Sequence, residues 1–278
     1  MKTIARIYND LNEKFGVPRQ SGLAEHVLSR IVFEPEYRDL HAFRGLEAYS
    51  HIWLIWQFSE HVDREWSPTV RPPRLGGNTR VGVFATRSPF RPNPVGLSCV
   101  KLVSVELETE DGPVLYVSGA DLMNDTPIYD IKPYLPYVDC YPEAKGSFAE
   151  EKKNYRLKVE ISDEIREEME KVFAKDLLKR HSENNDRKRV VIKSNLPIIE
   201  KNKAITENSK AGIEIAKPTI EGYKLETDIK INGLIELLAL DPRPSYQNDP
   251  ERVYGMAYCG RNVKFRVEGD VLTVVEIL

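Results

Sequence analysis

Acidic residues are missing from one stretch of this chain. From Trp66 to Val105, forty consecutive residues, there is no Asp or Glu; with 43 of them in 278 residues, about six would be expected there. Six cations stand unbalanced in it, Arg71, Arg74, Arg80, Arg87, Arg91 and Lys101. A region of one sign suits an anionic partner, bearing phosphate or carboxylate.

Other scarcities narrow the field. Cys99, Cys140 and Cys259 stand far apart, with no C-x-x-C and no neighbouring histidine pair, so neither a zinc site nor a disulfide framework is readable. Reduced thiols and no metal are expected. The longest apolar run, Ile52–Trp56, is far too short to cross a bilayer, and Met1-Lys-Thr-Ile-Ala-Arg lacks the apolar core of a signal peptide. A cytoplasmic protein is expected. No G-x-G-x-x-G follows a strand, and G-x-x-x-x-G-K-[ST], H-E-x-x-H and G-x-S-x-G are absent, which removes the common dinucleotide, NTPase, metalloprotease and α/β-hydrolase readings. Net charge is −3, so nucleic-acid binding requires a local patch. The histidines stand singly; His41 and His51 read as satisfied, partly buried imidazoles.

What is present centres on Ala85–Ser98. Pro89, Pro92 and Pro94 fix φ and remove backbone donors, so Thr86–Val95 can be neither a helix nor a central strand. A stiff loop carrying Arg87, Ser88, Arg91 and Asn93 between two apolar strands places donors with little entropy left to lose on binding. A second proline-bearing polar loop is expected at 121–137. It supplies Asp121, Asp125 and Asp130, with Lys132 among them, and the two loops could frame a ligand of both signs.

Strands are expected at Thr3–Tyr8, at Ile31–Phe33, at His51–Phe58 (apolar on both faces), and from Val95 to Leu107 with Ser104 and Glu106 in water. A hairpin partner follows at Val114–Gly119. A short helix is expected from Pro35 to Gly45. Many short strands and few helices describe a mainly β fold, a small antiparallel barrel or a sandwich. Beyond about residue 150 the composition changes to an α+β domain: a strand at Tyr155–Ile161, a helix after Ser162, a polar linker or insertion at about 182–222, a helix at Ile229–Leu240, and a three-stranded meander to Leu278. Domains of 1–150 and 151–278 result. Trp53 and Trp56 read as core, while Ser59 and Glu60 leave the strand at the barrel mouth.

Pro18-Arg-Gln-Ser-Gly-Leu, Arg71-Pro-Pro-Arg-Leu-Gly-Gly-Asn, Gly82-Val-Phe-Ala-Thr-Arg-Ser-Pro-Phe-Arg-Pro-Asn-Pro-Val-Gly-Leu-Ser and Asp130-Ile-Lys-Pro-Tyr-Leu-Pro-Tyr resemble, in order, blocks of the TrmO (YaeB, TsaA-like) tRNA methyltransferases. Asp241-Pro-Arg-Pro-Ser-Tyr resembles that family's C-terminal domain. The resemblance implies a β-barrel that binds S-adenosylmethionine without a Rossmann sheet, a homodimer, and N6-methylation of N6-threonylcarbamoyladenosine beside the tRNA anticodon. Carried over by motif, the cofactor meets Gln20, Ser21, Gly22, Leu23, Ser59, Glu60, Arg87, Leu97, Ala120, Asp121 and Leu122. Asn124-Asp125-Thr126-Pro127 departs from the family's Asp-Gly-Thr-Pro and sets an aspartate where glycine turns more freely.

The acceptor N6 is a ureido nitrogen, a poor nucleophile until its proton leaves, so a base within hydrogen-bond reach is required. Asp121 and Asp130 are candidates, with Tyr129 and Tyr134 behind them. Arg91 and Asn93 are assigned to the modified base, and Arg71, Arg74, Lys132 and Arg243 to the RNA. The same residues leave other readings open: an RNA-binding module without catalysis, a methyltransferase for a small anionic molecule, or a dimerisation protein.

Overall fold

The computed structural model describes residues 1–72, 75, 78–150, 154–183, 189–190, 215–216, 220–244, 247 and 249–278. The strands β1 (Ala5–Tyr8), β2 (Leu28–Phe33) and β3 (His51–Gln57) are followed by a two-residue ribbon, β4 (Thr69–Val70) with β5 (Val81–Gly82), and then by β6 (Val95–Glu106), β7 (Val114–Ser118) and β8 (Thr126–Pro133). Six of these close into a barrel in the order β1-β2-β7-β6-β3-β8. Every pairing is antiparallel. The alternation in the sequence explains the closure: Ile7, Ile31, Ile52, Leu54, Leu115 and Ile128 point inward and are fully buried, filling the interior as a small barrel requires.

Four local expectations are corrected. Pro35–Gly45 is no continuous helix; it breaks into 3-10 turns at Pro35–Tyr37 and Leu40–Phe43, with a third turn at Leu46–Ala48. Asp39 is extended and accepts the His41 N–H, starting a new turn that Arg44 closes, and Gly45 (φ 87°) leads into the third. β3 is buried on one face, by Ile52, Leu54 and Trp56, and half-covered on the other, because a barrel has a single core. Ser104, expected in water, is buried: the even positions of β6 from Gly96 through Ser104 all face the barrel interior, so Val103 and Val105, expected inward, take the half-covered outer face. The middle of the expected second loop is a strand, β8 itself. Pro127 pairs with β1 alone and Pro133 ends the strand, so neither proline breaks a ladder on both sides.

Beyond the barrel come α1 (Pro136–Asp139), β9 (Lys158–Glu160), α2 (Asp163–Glu183), the ribbon β10 (Arg189–Val190) with β11 (Ile215–Ala216), α3 (Ile220–Ala239), and β12 (Tyr254–Tyr258), β13 (Arg261–Glu268) and β14 (Val271–Ile277). The meander β12-β13-β14 gains β9 as a parallel edge strand. α2 starts where Ser162 Oγ accepts the Ile165 N–H at 3.3 Å and buries Met169, Phe173 and Leu177. α3 begins at Ile220, earlier than expected, and buries Ile231, Leu234, Leu237 and Leu238. The rest of 182–222 lies outside the described residues. A second hydrophobic cluster thus forms, and it includes Leu11, Ala24 and Val27 from the beginning of the chain. No helix among the described residues is long and apolar enough to cross a membrane.

Candidate active site

The proline loop is rigid for reasons visible in its own hydrogen bonds. Val83–Ala85 makes a 3-10 turn, Thr86 Oγ1 donates to Val83 O at 2.8 Å, and the Ser88 N–H donates to Thr86 Oγ1 at 3.2 Å. Arg91 turns back: its Nη1 donates to Thr86 O at 2.7 Å and Val83 O at 3.2 Å, and its guanidinium lies 5.7 Å from the Phe84 ring centre. This arginine staples the loop. The Phe58 N–H donates to Pro94 O at 2.9 Å, and Phe90 packs edge-on against buried His61 at 5.1 Å, which fixes the loop to the end of β3.

Arg87 leaves the loop in the other direction and donates from Nη1 to Gln20 Oε1 at 2.5 Å. Gln20 belongs to a segment clipped onto the barrel where the Gly22 N–H donates to Gly119 O at 2.8 Å. Both glycines have φ of 75°, and a Cβ on Gly119 would lie 3.2 Å from the Gly22 backbone, so the two chains meet as closely as glycine permits. Two residues on, Asp121 Oδ1 accepts from Ser98 Oγ at 2.5 Å, and Ser98 Oγ accepts from Trp56 Nε1 at 2.9 Å. Burial pushes the Asp121 carboxyl above its ordinary value, opposed by the Ser98 hydroxyl, Arg87 and the Ser21 backbone N–H. Gln20, Ser21, Gly22, Arg87, Ser98 and Asp121 therefore share one end of the barrel. Ala120 and Leu122 are fully buried beside them and offer only backbone, while Leu97 is exposed on the outer face and Leu23 is half-buried. Ser59 and Glu60 are exposed on the 3-10 turn that follows β3.

Other expected site residues stand elsewhere. Asp130 is on the outer wall opposite Ile55, with Lys132 Nζ 2.8 Å from its Oδ2 and the Ile131 N–H 2.9 Å from its Oδ1. Tyr134 is on the same wall, its ring 5.8 Å from Trp53; partial burial, then Cys140, pushes its hydroxyl above the ordinary tyrosine value. Tyr129 falls at the β3–β8 register shift, its hydroxyl likewise raised by burial. Arg243 is largely buried and gripped by Asp241 through Nε–Oδ1 at 2.8 Å and Nη2–Oδ2 at 2.9 Å, which occupies the fork expected to face RNA. Arg71 and Asn93 are exposed, and Arg74 lies outside the described residues. Asp125 does adopt φ 63°, held by Arg6, whose Nη1 donates to Asp125 O at 3.1 Å and lies 3.3 Å from Asp125 Oδ2. Asn124 Oδ1 accepts the Asn9 N–H at 3.0 Å, so the departure from Asp-Gly is accommodated by side-chain bonds. Ser98 and His61 were not singled out from the sequence; the available signal for the first was a serine standing directly after the proline loop, at the start of β6. Among the described residues no group of three His, Cys, Asp or Glu stands together to hold a metal.

Comparison with known proteins bears on this geometry. A family model of the tRNA-methyltransferase O N-terminal domain matches residues 6–140, and one of the TrmO C-terminal domain matches residues 215–278. The chain is 36% identical over 231 residues to a protein of Eikenella corrodens named tRNA (adenine(37)-N6)-methyltransferase, covering 83% of this chain and 98% of that one. The chain belongs to the TrmO family. A protein of the same name from Escherichia coli K12 is 43% identical over 166 residues, 60% of this chain and 70% of that one. A TrmO crystal structure from Pseudomonas aeruginosa superposes with a TM-score of 0.64 at 26% identity, over 99% of this chain and 97% of that one.

Proposed function

We propose that the chain transfers a methyl group from S-adenosylmethionine to N6 of adenosine 37 in tRNA, with N6-threonylcarbamoyladenosine as the acceptor. The observation that carries this reading is the hydrogen-bonded set Gln20–Arg87 and Ser98–Asp121 at one barrel end of a TrmO-family chain. It puts one cation and one buried carboxylate side by side. S-adenosylmethionine carries a carboxylate, an ammonium and a sulfonium, so the donor set fits: Arg87 and the backbone N–H groups near Ser21 suit the carboxylate, Asp121 a cation or hydroxyl, and Leu23 and Leu97 the adenine faces. When bound, it supplies an electrophilic methyl carbon.

The chain's own residues then orient and deprotonate. A loop stapled by Arg91 loses little freedom on binding, and alignment of this kind can contribute roughly 7–11 kcal/mol to a displacement. Asp121, whose proton affinity burial has raised, is the better candidate to accept the N6 proton; Asp130, neutralised by Lys132, orients it from the outer wall with Tyr134. Exposed Arg71 meets RNA phosphates, as does Lys132, the partner of Asp130, and Arg91 and Asn93 act on the modified base, Arg91 through the loop it holds. Exposed Tyr137 and Tyr141, on either side in sequence of the Asp139 that accepts from Trp53 Nε1, suit a second copy of the chain, as a homodimer working in the cytoplasm.

Calorimetric titration with S-adenosylmethionine tests this. Wild type binds, Arg87→Ala binds about tenfold more weakly or worse, and transcripts carrying the threonylcarbamoyl group on adenosine 37 are methylated in preference to unmodified ones. A folded wild type that does not bind the donor leaves an RNA-binding module as the reading of the same arginines.

A further inference from the structure

The segment that presents Gln20 and Ser21 to Arg87 and Asp121 is held by the C-terminal domain, although it precedes most of the barrel in the chain. Its Ala24 and Val27 are buried in the cluster formed with Ile231, Leu234 and Leu238 of α3. Packing alone would let it slide. What pins it is Glu236: Oε2 accepts the backbone N–H of His26 at 2.8 Å and Oε1 meets His26 Nδ1 at 2.6 Å, with the His26 side chain almost wholly buried. One turn earlier on α3, Gly233 lies against the His26 carbonyl; a Cβ there would stand 3.2 Å from that oxygen. The helix thus touches His26 at carbonyl, amide and ring.

From His26 the constraint runs directly to the site. Val27 O accepts the Gly119 N–H at 3.2 Å, and Gly119 O accepts the Gly22 N–H at 2.8 Å, so one residue two positions from Asp121 ties both ends of 22–27. Gln20, two residues before Gly22, is the partner of Arg87. A shift of His26 along α3 moves the Gln20–Ser21 backbone relative to Arg87 and Asp121.

We propose that Glu236 is a positioning residue for the methyl-donor site, acting through His26; this rests on the reading that the Arg87–Asp121 end holds the donor. Two partly buried hydrogen bonds to a carboxylate hold orientation more tightly than apolar contact can. The geometry also explains why a residue of the C-terminal domain bears on a site otherwise built from the barrel.

The test uses the full-length chain as Glu236→Ala, Glu236→Gln and, for comparison, Leu238→Ala, which removes core packing from the same helix without touching His26. Well below each variant's melting temperature, Glu236→Ala raises the calorimetric Kd for S-adenosylmethionine about tenfold or more. Its single-turnover rate at saturating donor stays within about twofold. Glu236→Gln, which keeps an acceptor for the His26 N–H, recovers most of the affinity. Leu238→Ala lowers the melting temperature yet binds donor within about twofold of wild type. Hydrogen exchange without donor gives a second readout: amides of 19–24 exchange faster in Glu236→Ala and not in Leu238→Ala. Unchanged exchange, or Leu238→Ala weakening the donor as much as Glu236→Ala, overturns the proposal. Faster exchange in Glu236→Ala with a wild type that binds no donor overturns the donor-site reading instead.

Discussion

Asp121 is an acid under opposed influences, with burial raising its pKa and Ser98, Arg87 and the Ser21 N–H lowering it, and burial prevails. A carboxyl raised in the folded state stabilises the fold below its ordinary value, and that contribution is lost as pH rises through the folded value. At neutral pH the ionised side chain is therefore a liability to stability and an asset to proton transfer. Asp121→Asn should melt at a higher temperature than wild type at neutral pH. It should also methylate about a hundredfold more slowly or worse, and lose the acidic limb of the single-turnover pH profile, which in wild type lies above the ordinary aspartate value of about 3.9. An Asp121→Asn variant with the wild-type rate and limb would transfer the role of base to Asp130.

β6 shows what an element contributes beyond its strand pairing. At Gly96 it passes under the Trp56 ring, where a Cβ would lie 2.2 Å from Trp56 Cε2, backed by the ring that also donates to Ser98. Gly96→Ala should destabilise by about 1–3 kcal/mol in urea unfolding and shift the tryptophan emission, because a ring held on both sides has nowhere to go. The site was legible in the sequence where backbone chemistry is local: three prolines announce a stiff loop, Gln20 and Arg87 fall in blocks that resemble TrmO, and Asp121 is carried over with them. It was illegible where one residue type serves two purposes. β8 was read as a loop because Pro127 and Pro133 look like breakers unless the missing neighbour on one side is known. The intramolecular partners of Arg91 and Arg243 were hidden because a sequence shows charge but not its partner, though Asp241 two residues before Arg243 was a hint. His26 and Glu236 are separated by 210 positions, and no local pattern joins them.

At the scale of the molecule, two hydrophobic clusters divide the chain differently from its sequence. Residues 1–150 were expected to form a domain of their own, yet Leu11, Ala24 and Val27 are buried with the C-terminal helices and sheet. A chain cut at 150 should expose them, at about 1.5–3 kcal/mol for each large side chain, and should elute as aggregate in size-exclusion chromatography where the full chain does not. Recovery of a monodisperse barrel would show that these side chains find other cover. The same arrangement has a consequence for the chain as it is made. Synthesis delivers residues 9–27 first and α3 near the end, 210 residues separating His26 from Glu236. At about 5–20 residues per second that is a wait of roughly 10 to 40 s, during which a barrel with all its strands is on hand while Ala24 and Val27 have no cover. The pocket thus matures after the barrel on the ribosome, and a nascent chain stalled before α3 would carry a finished cylinder with an unfinished mouth.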